Sequence, residues 1–262
     1  MQISQLHLYP IKSTKPYTVH QAFIQPQGLN FDREFMITEL DGKFITARKD
    51  AVIYQFSAFP LPMGIAILAP DGEQFLVHYH DFSQTQSSEV WGNHFPSFVA
   101  NEKINQWLSR YFERPVQLRW LGQQSQRHLS NSNAMPLSFA DSNPILLTSE
   151  KSLAQLNEWS PIHSVMQQFR SNIVIDGLKA FEEDHWQRIQ IGEVIFSVAQ
   201  QCTRCILITR NIETNQLDPN AEPFRTLKKY HTNEQGKPTF GIHLIPENSG
   251  VVKIKDEIIV LE

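Results

Sequence analysis

The chain has 262 residues, 41% of them hydrophobic and 19% charged, with a formal net charge of −4 and two cysteines. That composition supports a folded chain with a sizeable core. It excludes extended disorder, a disulfide framework and a global electrostatic drive toward nucleic acid or anionic membrane. No apolar run reaches the roughly 20 residues of a membrane helix, the opening lacks the order of a secretory signal, and the two cysteines point to a reducing cytoplasm.

In chain order, the first hundred residues predict short strands: ISQLHLYPI, HQAFIQ, REFMITEL, GKFITAR, MGIAILAP and EQFLVHYH. The turn formers Gln27-Gly28, Asp41-Gly42 and Asp71-Gly72 separate them, and this spacing favours a barrel or curled sheet over βαβ units. A helix is predicted over 102–111, because Ile104, Trp107 and Leu108 form one apolar stripe. Residues 123–133 are polar and without period, which predicts a linker or mobile loop. A second helix is predicted from Thr148 or Ser149 to about Trp159, burying Leu153 and Leu156. Strand patterns return in SNIVIDG, RIQIGEVIFSVA, RCILITR, FGIHLIP and GVVKIKDEIIVLE. The expected class is a β-rich α+β fold of two β-barrel-like units with a few packed helices, divided into residues 1–120 and 121–262.

Cys202-Thr203-Arg204-Cys205 is the densest chemical signal. A zinc site needs further ligands at a spacing that His231 and His243 do not provide, and a four-cysteine iron–sulfur cluster lacks its ligands. Two readings stand: a pair of inert buried cysteines, or a thiolate whose ionisation the adjacent Arg204 favours and which suits a soft metal. Lys12-Ser13, Asp32-Arg33, Thr46-Ala47-Arg48 and Arg170-Ser171-Asn172 set cations beside turns and strand ends, where they are surface charge or a phosphate clamp. Asp141 precedes Asn143-Pro144 and reads locally as a cap or turn residue. Glu182-Glu183-Asp184 reads as a solvated acidic turn. No Walker or dinucleotide glycine loop is present, and His78 and His80 have no nucleophile to pair with.

Taken together these residues resemble the MOSC family in its form with an N-terminal β-barrel domain. The branch resembled contains the mitochondrial amidoxime-reducing component and its bacterial relatives. The ordered set runs from Tyr9-Pro10-Ile11-Lys12-Ser13 through Asp32-Arg33, Thr46-Ala47-Arg48, Val90-Trp91-Gly92 and the segment from Asp141 to Pro144. It continues through the segment from Phe169 to Gly177, Phe181 to Asp184, the cysteine pair, Glu222-Pro223, Thr226-Leu227-Lys228, and the stretch from Phe240 to Gly250.

The resemblance implies a molybdenum cofactor (Mo-molybdopterin), with Cys205 as metal ligand and catalytic centre. It further implies that Lys12, Ser13, Arg33, Arg170 and Asn172 hold the pterin and its phosphate. Asp141, Ser142, Thr203 and Arg204 would complete the pocket. The implied reaction is reduction of N-hydroxylated small molecules such as amidoximes, hydroxamic acids and N-hydroxylated bases. Pyridoxal phosphate binding follows only at the level of the wider family.

The chain departs from these relatives at Gln201, where many carry Pro, in the stretch from Arg210 to Glu213, and at His243, where they carry an aromatic or amide residue. Some relatives append a ferredoxin domain. This chain has none of its cysteines, so electrons are expected from a separate protein, a reductase or one-electron carrier. A cofactor-binding or carrier protein, or a sulfur carrier using Cys205, is the alternative to the enzyme. No nucleic-acid or membrane partner is expected, and Lys12, Arg33 and Arg170 are expected to converge on one anion.

Overall fold

The computed structural model describes residues 1–129, 132–177 and 179–262. The fold is α+β and β-rich, with 42% of residues in strands and three helices among the described residues. No helix of the described residues is long and apolar enough to cross a membrane.

The chain divides into two compact units whose segments alternate in sequence. One, here the C-terminal unit, comprises Met1–His7, Thr18–Asn30 and Asn143–Glu262; the other, the N-terminal unit, comprises Leu8–Tyr17 and Phe31–Ser142.

The C-terminal unit is built on an eight-stranded mixed sheet. At its centre Ile145–Ser149 pairs parallel with Ile173–Asp176, Leu147 facing Ile173. The helix α1 (Glu150–Trp159) makes the crossover between them. Ser149 starts that helix, its Oγ accepting the Ser152 N–H at 3.2 Å. Leu153 and Leu156 turn inward and join Met166, Phe169, Val174, Ile208, Leu227 and Phe240 in one core. Leu227 comes from the helix Phe224–Tyr230, which the sequence pattern did not reveal. Gly241, in the strand Thr239–Pro246 that pairs antiparallel with Ile145–Ser149, has a φ of +78°, and a Cβ there would meet the Leu147 carbonyl oxygen at 2.4 Å, so only glycine lets these two central strands approach.

The N-terminal unit contains a four-stranded antiparallel sheet, in which Phe82–Val90, Asn93–Ala100, Gln117–Trp120 and Phe35–Thr38 lie side by side, and a three-stranded meander, Ser57–Leu61, Gly64–Leu68 and Gln74–His78. The predicted Asp71-Gly72 turn closes the meander, Gly72 N donating to the Ala69 carbonyl at 3.0 Å. The helix predicted over 102–111 forms as Glu102–Phe112, capped by Asn101 Oδ1 on the Ile104 N–H and burying Ile104, Trp107 and Leu108.

Four expectations need correction or restriction. The run GKFITAR is not a strand and makes only isolated bridges, Phe44 to Thr38 and Lys43 to Glu89. Within the segment predicted as a linker over 123–133, Ser130 and Asn131 lie outside the described residues. The rest is not all loop, because His128–Leu129 pairs with Ser132–Pro136. Backbone bonding continues past that pair, Leu137 N donating to the Arg127 carbonyl at 2.9 Å. The run RCILITR is not a strand: the ladder ends at Thr203 opposite Thr239, and Ile206–Thr209 forms a 3-10 turn whose Ile208 N–H bonds the Cys205 carbonyl. The acidic turn at 182–184 is not solvated throughout, since Glu183 is fully buried.

Candidate functional site

In the N-terminal unit the Tyr9-Pro10 strand end delivers Lys12 and Ser13 into a buried position. Lys12 Nζ donates to the Phe139 carbonyl at 2.8 Å and to Asp141 Oδ1 at 2.5 Å. Burial lowers the Lys12 pKa to about 8; Asp141 opposes the fall, while Arg127 and Arg33 add to it. Asp141 responds in the opposite sense. Desolvation disfavours its charge, but Lys12, the Trp91 indole and Arg48 hold its carboxyl well below the usual carboxylate range. Trp91 Nε1 donates to Asp141 Oδ1 at 3.0 Å, and the exposed indole lies under the Arg48 guanidinium, 4.5 Å from the ring centroid. Asp141 is thus an ion-pair residue rather than only the turn residue its local sequence implied.

Arg33 is clamped between an acid and an aromatic ring. It donates from Nη1 to Asp32 Oδ2 and stacks 4.5 Å from the Tyr9 centroid. Asp32, itself buried, also accepts the Tyr9 N–H at 2.8 Å. Ser142 follows Asp141 on the exposed side of the chain.

Arg127 belongs with these residues and was not foreseen, because it is one cation in a polar stretch without motif. Its Nη1 donates to the Ser138 carbonyl at 2.7 Å and the Ala140 carbonyl at 2.5 Å, which fixes the backbone leading into Asp141. Its Nε is buried without a partner in the protein.

In the C-terminal unit the strand Val194–Thr203 leads into the cysteine loop. Cys202 is buried and Cys205 exposed. Arg204 donates from Nη1 to Cys202 Sγ at 2.9 Å and from Nη2 to the Phe169 carbonyl at 2.6 Å. Its Nε is buried and has no protein partner. Thr203 is exposed at the strand end. The Arg204–Phe169 bond ties the cysteine loop to the turn that presents Arg170. Asn172 is 1% exposed, and its amide bridges strands, accepting the Leu146 N–H and donating to the His7 carbonyl, each at 3.2 Å.

Three of the expected anion-binding residues share a backbone feature. Ser13, Arg33 and Arg170 have φ of 74°, 51° and 59°, in the left-handed region that side-chain-bearing residues avoid. Such conformations cost about 1–3 kcal/mol each and concentrate where side chains are held for function. Arg33 and Arg170 are cations beside turns, and Ser13 adjoins Lys12. Their backbone conformation was visible only in the structure.

The N-terminal half, residues 1–115, matches the model of the MOSC N-terminal beta barrel domain, and residues 134–259 match that of the MOSC domain. The chain belongs to the MOSC family. Mitochondrial amidoxime reducing component 2 of Macaca fascicularis is 26% identical over 98% of this chain and 82% of its own length. Mitochondrial amidoxime-reducing component 1 of Homo sapiens is 26% identical over 99% and 82%. Molybdenum cofactor sulfurase of Homo sapiens is 27% identical over 93% of this chain, which spans 30% of that longer protein. Among solved structures, the YUAD protein of Bacillus subtilis aligns over 98% of this chain and 93% of its own at 12% identity and a TM-score of 0.46. Of these relatives' names, that of the sulfurase refers to the molybdenum cofactor. The names lend no support to pyridoxal phosphate binding or to a cytoplasmic location.

Proposed function

We propose that this MOSC chain is a molybdenum-cofactor-dependent oxidoreductase that reduces N-hydroxylated small molecules, with electrons from a separate protein. The observation that carries the reading is Cys205, a single exposed thiol at the end of a loop whose neighbouring arginine is otherwise engaged. Among the described residues no group of three or more His, Cys, Asp or Glu side chains is placed to hold a metal ion. A metal would therefore arrive inside an organic ligand and take one protein donor, for which a thiolate is the suitable soft choice. Arg204 Nε, next to Cys205 in the chain, is a buried donor without a protein acceptor, which supports such a group.

Cys205 would ligate the metal. Lys12, Ser13, Arg33, Arg170 and Asn172 would hold the pterin and its phosphate, with Asp141, Ser142, Thr203 and Arg204 completing the pocket. When bound, the cofactor supplies two-electron reduction at neutral pH. This chain's own residues bind the anion, orient the substrate and move protons. Charge-assisted bonds from a lysine and two arginines suit a phosphate monoester, whose oxygens match the guanidinium fork.

The test is elemental analysis of protein from a cofactor-competent host, together with reduction of an amidoxime by reduced viologen. Bound molybdenum with turnover supports the reading. Bound molybdenum without turnover on amidoxime, hydroxamic acid or N-hydroxylated base favours the carrier instead. Similarity to molybdenum cofactor sulfurase is what keeps sulfur carriage by Cys205 as the second reading, and a persulfide on Cys205 in metal-free protein would select it.

A further inference from the structure

His231 holds a built site of its own in the C-terminal unit. It follows the helix Phe224–Tyr230, its N–H closing on the Leu227 carbonyl at 2.8 Å. Both ring nitrogens face oxygen: Nδ1 lies 2.9 Å from the Thr239 carbonyl and Nε2 lies 2.8 Å from Asp184 Oδ2. The Phe181 ring stacks on the imidazole, 3.9 Å between centroids, and fixes its plane. The His231 and Asp184 side chains are 15% and 5% exposed, so water competes little for these bonds. A carbonyl and a carboxylate only accept. The ring therefore donates from both nitrogens, as an imidazolium.

Thr239 stands between this ring and the cysteine loop. Its N–H donates to the His231 carbonyl at 3.1 Å while its own carbonyl accepts from the ring, so one residue holds both of its backbone groups. Thr239 is also the partner of Thr203 where the ladder ends, and the neighbouring Pro238 carbonyl accepts the Arg204 N–H at 2.8 Å. Contacts thus run from the turn Glu182–His185 through His231 to the two residues that precede Cys205.

We infer that Asp184 and His231 are positioning residues that hold the cysteine loop in place through Thr239, and that they do so only while the ring carries a proton on each nitrogen. The importance of this hold for catalysis rests on the proposed role of Cys205; the hold itself does not. The charged and titratable groups facing the ring are Asp184 and Glu183, both from the turn, while Phe181 covers one face and Thr239 from the strand is neutral. Asp184 Oδ1 and Glu183 Oε2 are buried without a hydrogen-bond partner among the described residues, an acidic surrounding that favours a cation on the ring. Burial pushes the His231 pKa down, but the Asp184 and Thr239 hydrogen bonds and the charges of Asp184 and Glu183 outweigh it and raise it above 6.5. The folded-state value lies above the unfolded one. The hold is thus complete below 6.5 and is lost as pH rises through the raised value. On a neutral ring one of the two oxygens faces a nitrogen lone pair, and the Asp184 or the Thr239 link is released.

The deciding experiment is nuclear magnetic resonance of the full chain against pH. The His231 ring should titrate above 6.5 in the wild type and lower in Asp184→Asn. Protection of the Arg204 amide from hydrogen exchange, corrected for intrinsic rates, should fall about 10-fold or more through the His231 midpoint, the scale of one charge-assisted bond. His231→Arg keeps a cation with several donors and should stay protected across that window, whereas His231→Gln should be poorly protected throughout. A midpoint at or below 6.5, or protection that falls alike in the wild type and His231→Arg, overturns the inference. Should a variant fail to fold, the wild type decides alone, because protection that does not follow the His231 midpoint overturns it too. In molybdenum-loaded protein, the ratio of the amidoxime rate of His231→Arg to that of the wild type should be near one at pH 6 and rise past the His231 midpoint. A ratio that stays at one overturns the coupling to the site. A wild-type protein with no reductase activity overturns the functional reading instead, and the exchange measurement then decides the hold on its own.

Discussion

Lys12 and Asp141 form an asymmetric ion pair: Nζ lies 2.5 Å from Oδ1, with the lysine side chain 6% exposed and the aspartate 63% exposed. The buried cation is fixed by the Phe139 carbonyl, whereas its counter-ion faces outward. On the proposed reading, an arriving phosphate would take the place of this carboxylate at the ammonium.

Replacing Lys12 by Ala should therefore weaken cofactor retention while leaving the fold intact. A charge-assisted bond of about 1.5–3 kcal/mol corresponds to roughly a 10- to 150-fold loss of affinity. Pterin content after gel filtration measures it, with far-UV circular dichroism as the control for folding. Full retention would remove Lys12 from the anion site.

The same lysine predicts a pH dependence. With its pKa lowered to about 8 by burial, Lys12 is charged at pH 6.5 and largely neutral at pH 9.5. Cofactor retention should fall through that window in the wild type and stay flat in Lys12→Arg, whose guanidinium remains protonated. Equal profiles would show that Lys12 does not carry the effect.

Glu183 gives a stability prediction independent of the cofactor. Its side chain is buried, accepts the Ser152 hydroxyl at 2.7 Å and leaves Oε2 unpaired. Burial raises its pKa from 4.5 to about 7, against the Ser152 hydrogen bond. The folded-state value lies above the unfolded one. Its contribution is thus fully present below about 4.5 and is lost as pH rises through about 7. A displacement of that size corresponds to about 3 kcal/mol as an upper scale. Glu183→Gln should raise the Tm at pH 8 and change it little at pH 4.5. A loss of stability at pH 8 would contradict this.

Electron supply can be tested directly. The sequence contains no Gly-rich nucleotide fingerprint and no cysteine set for an iron–sulfur cluster. Purified protein with NADH alone should not reduce an amidoxime, and a reduced viologen or a reductase with a one-electron carrier should restore turnover. Sustained turnover with NADH alone would reveal an electron-entry site within this chain.

Local patterns predicted the elements whose stability is local. The 102–111 helix carries its own cap at Asn101 and a three-residue apolar stripe, and the Asp71-Gly72 hairpin carries its own turn chemistry. What was not visible depends on partners far along the chain. Glu183 is kept from water where Ser152, 31 residues earlier, donates its hydroxyl to the carboxyl. Arg127 acquires its place only because the backbone over 138–141 folds back onto it. The local sequence shows Lys12, Arg33 and Arg170 as cations beside turns, but not the left-handed backbone at Ser13, Arg33 and Arg170, which arises from tertiary constraint.

The central claim is that Cys205 ligates molybdenum, and the most direct test is the molybdenum content of two serine variants purified side by side from a cofactor-competent host. Cys205→Ser replaces an exposed soft donor by a far less acidic hydroxyl and should lose the metal. Cys202→Ser should retain metal close to the wild-type level, because Cys202 is buried against Arg204. Metal retained by Cys205→Ser, or lost equally from both variants, would contradict the account.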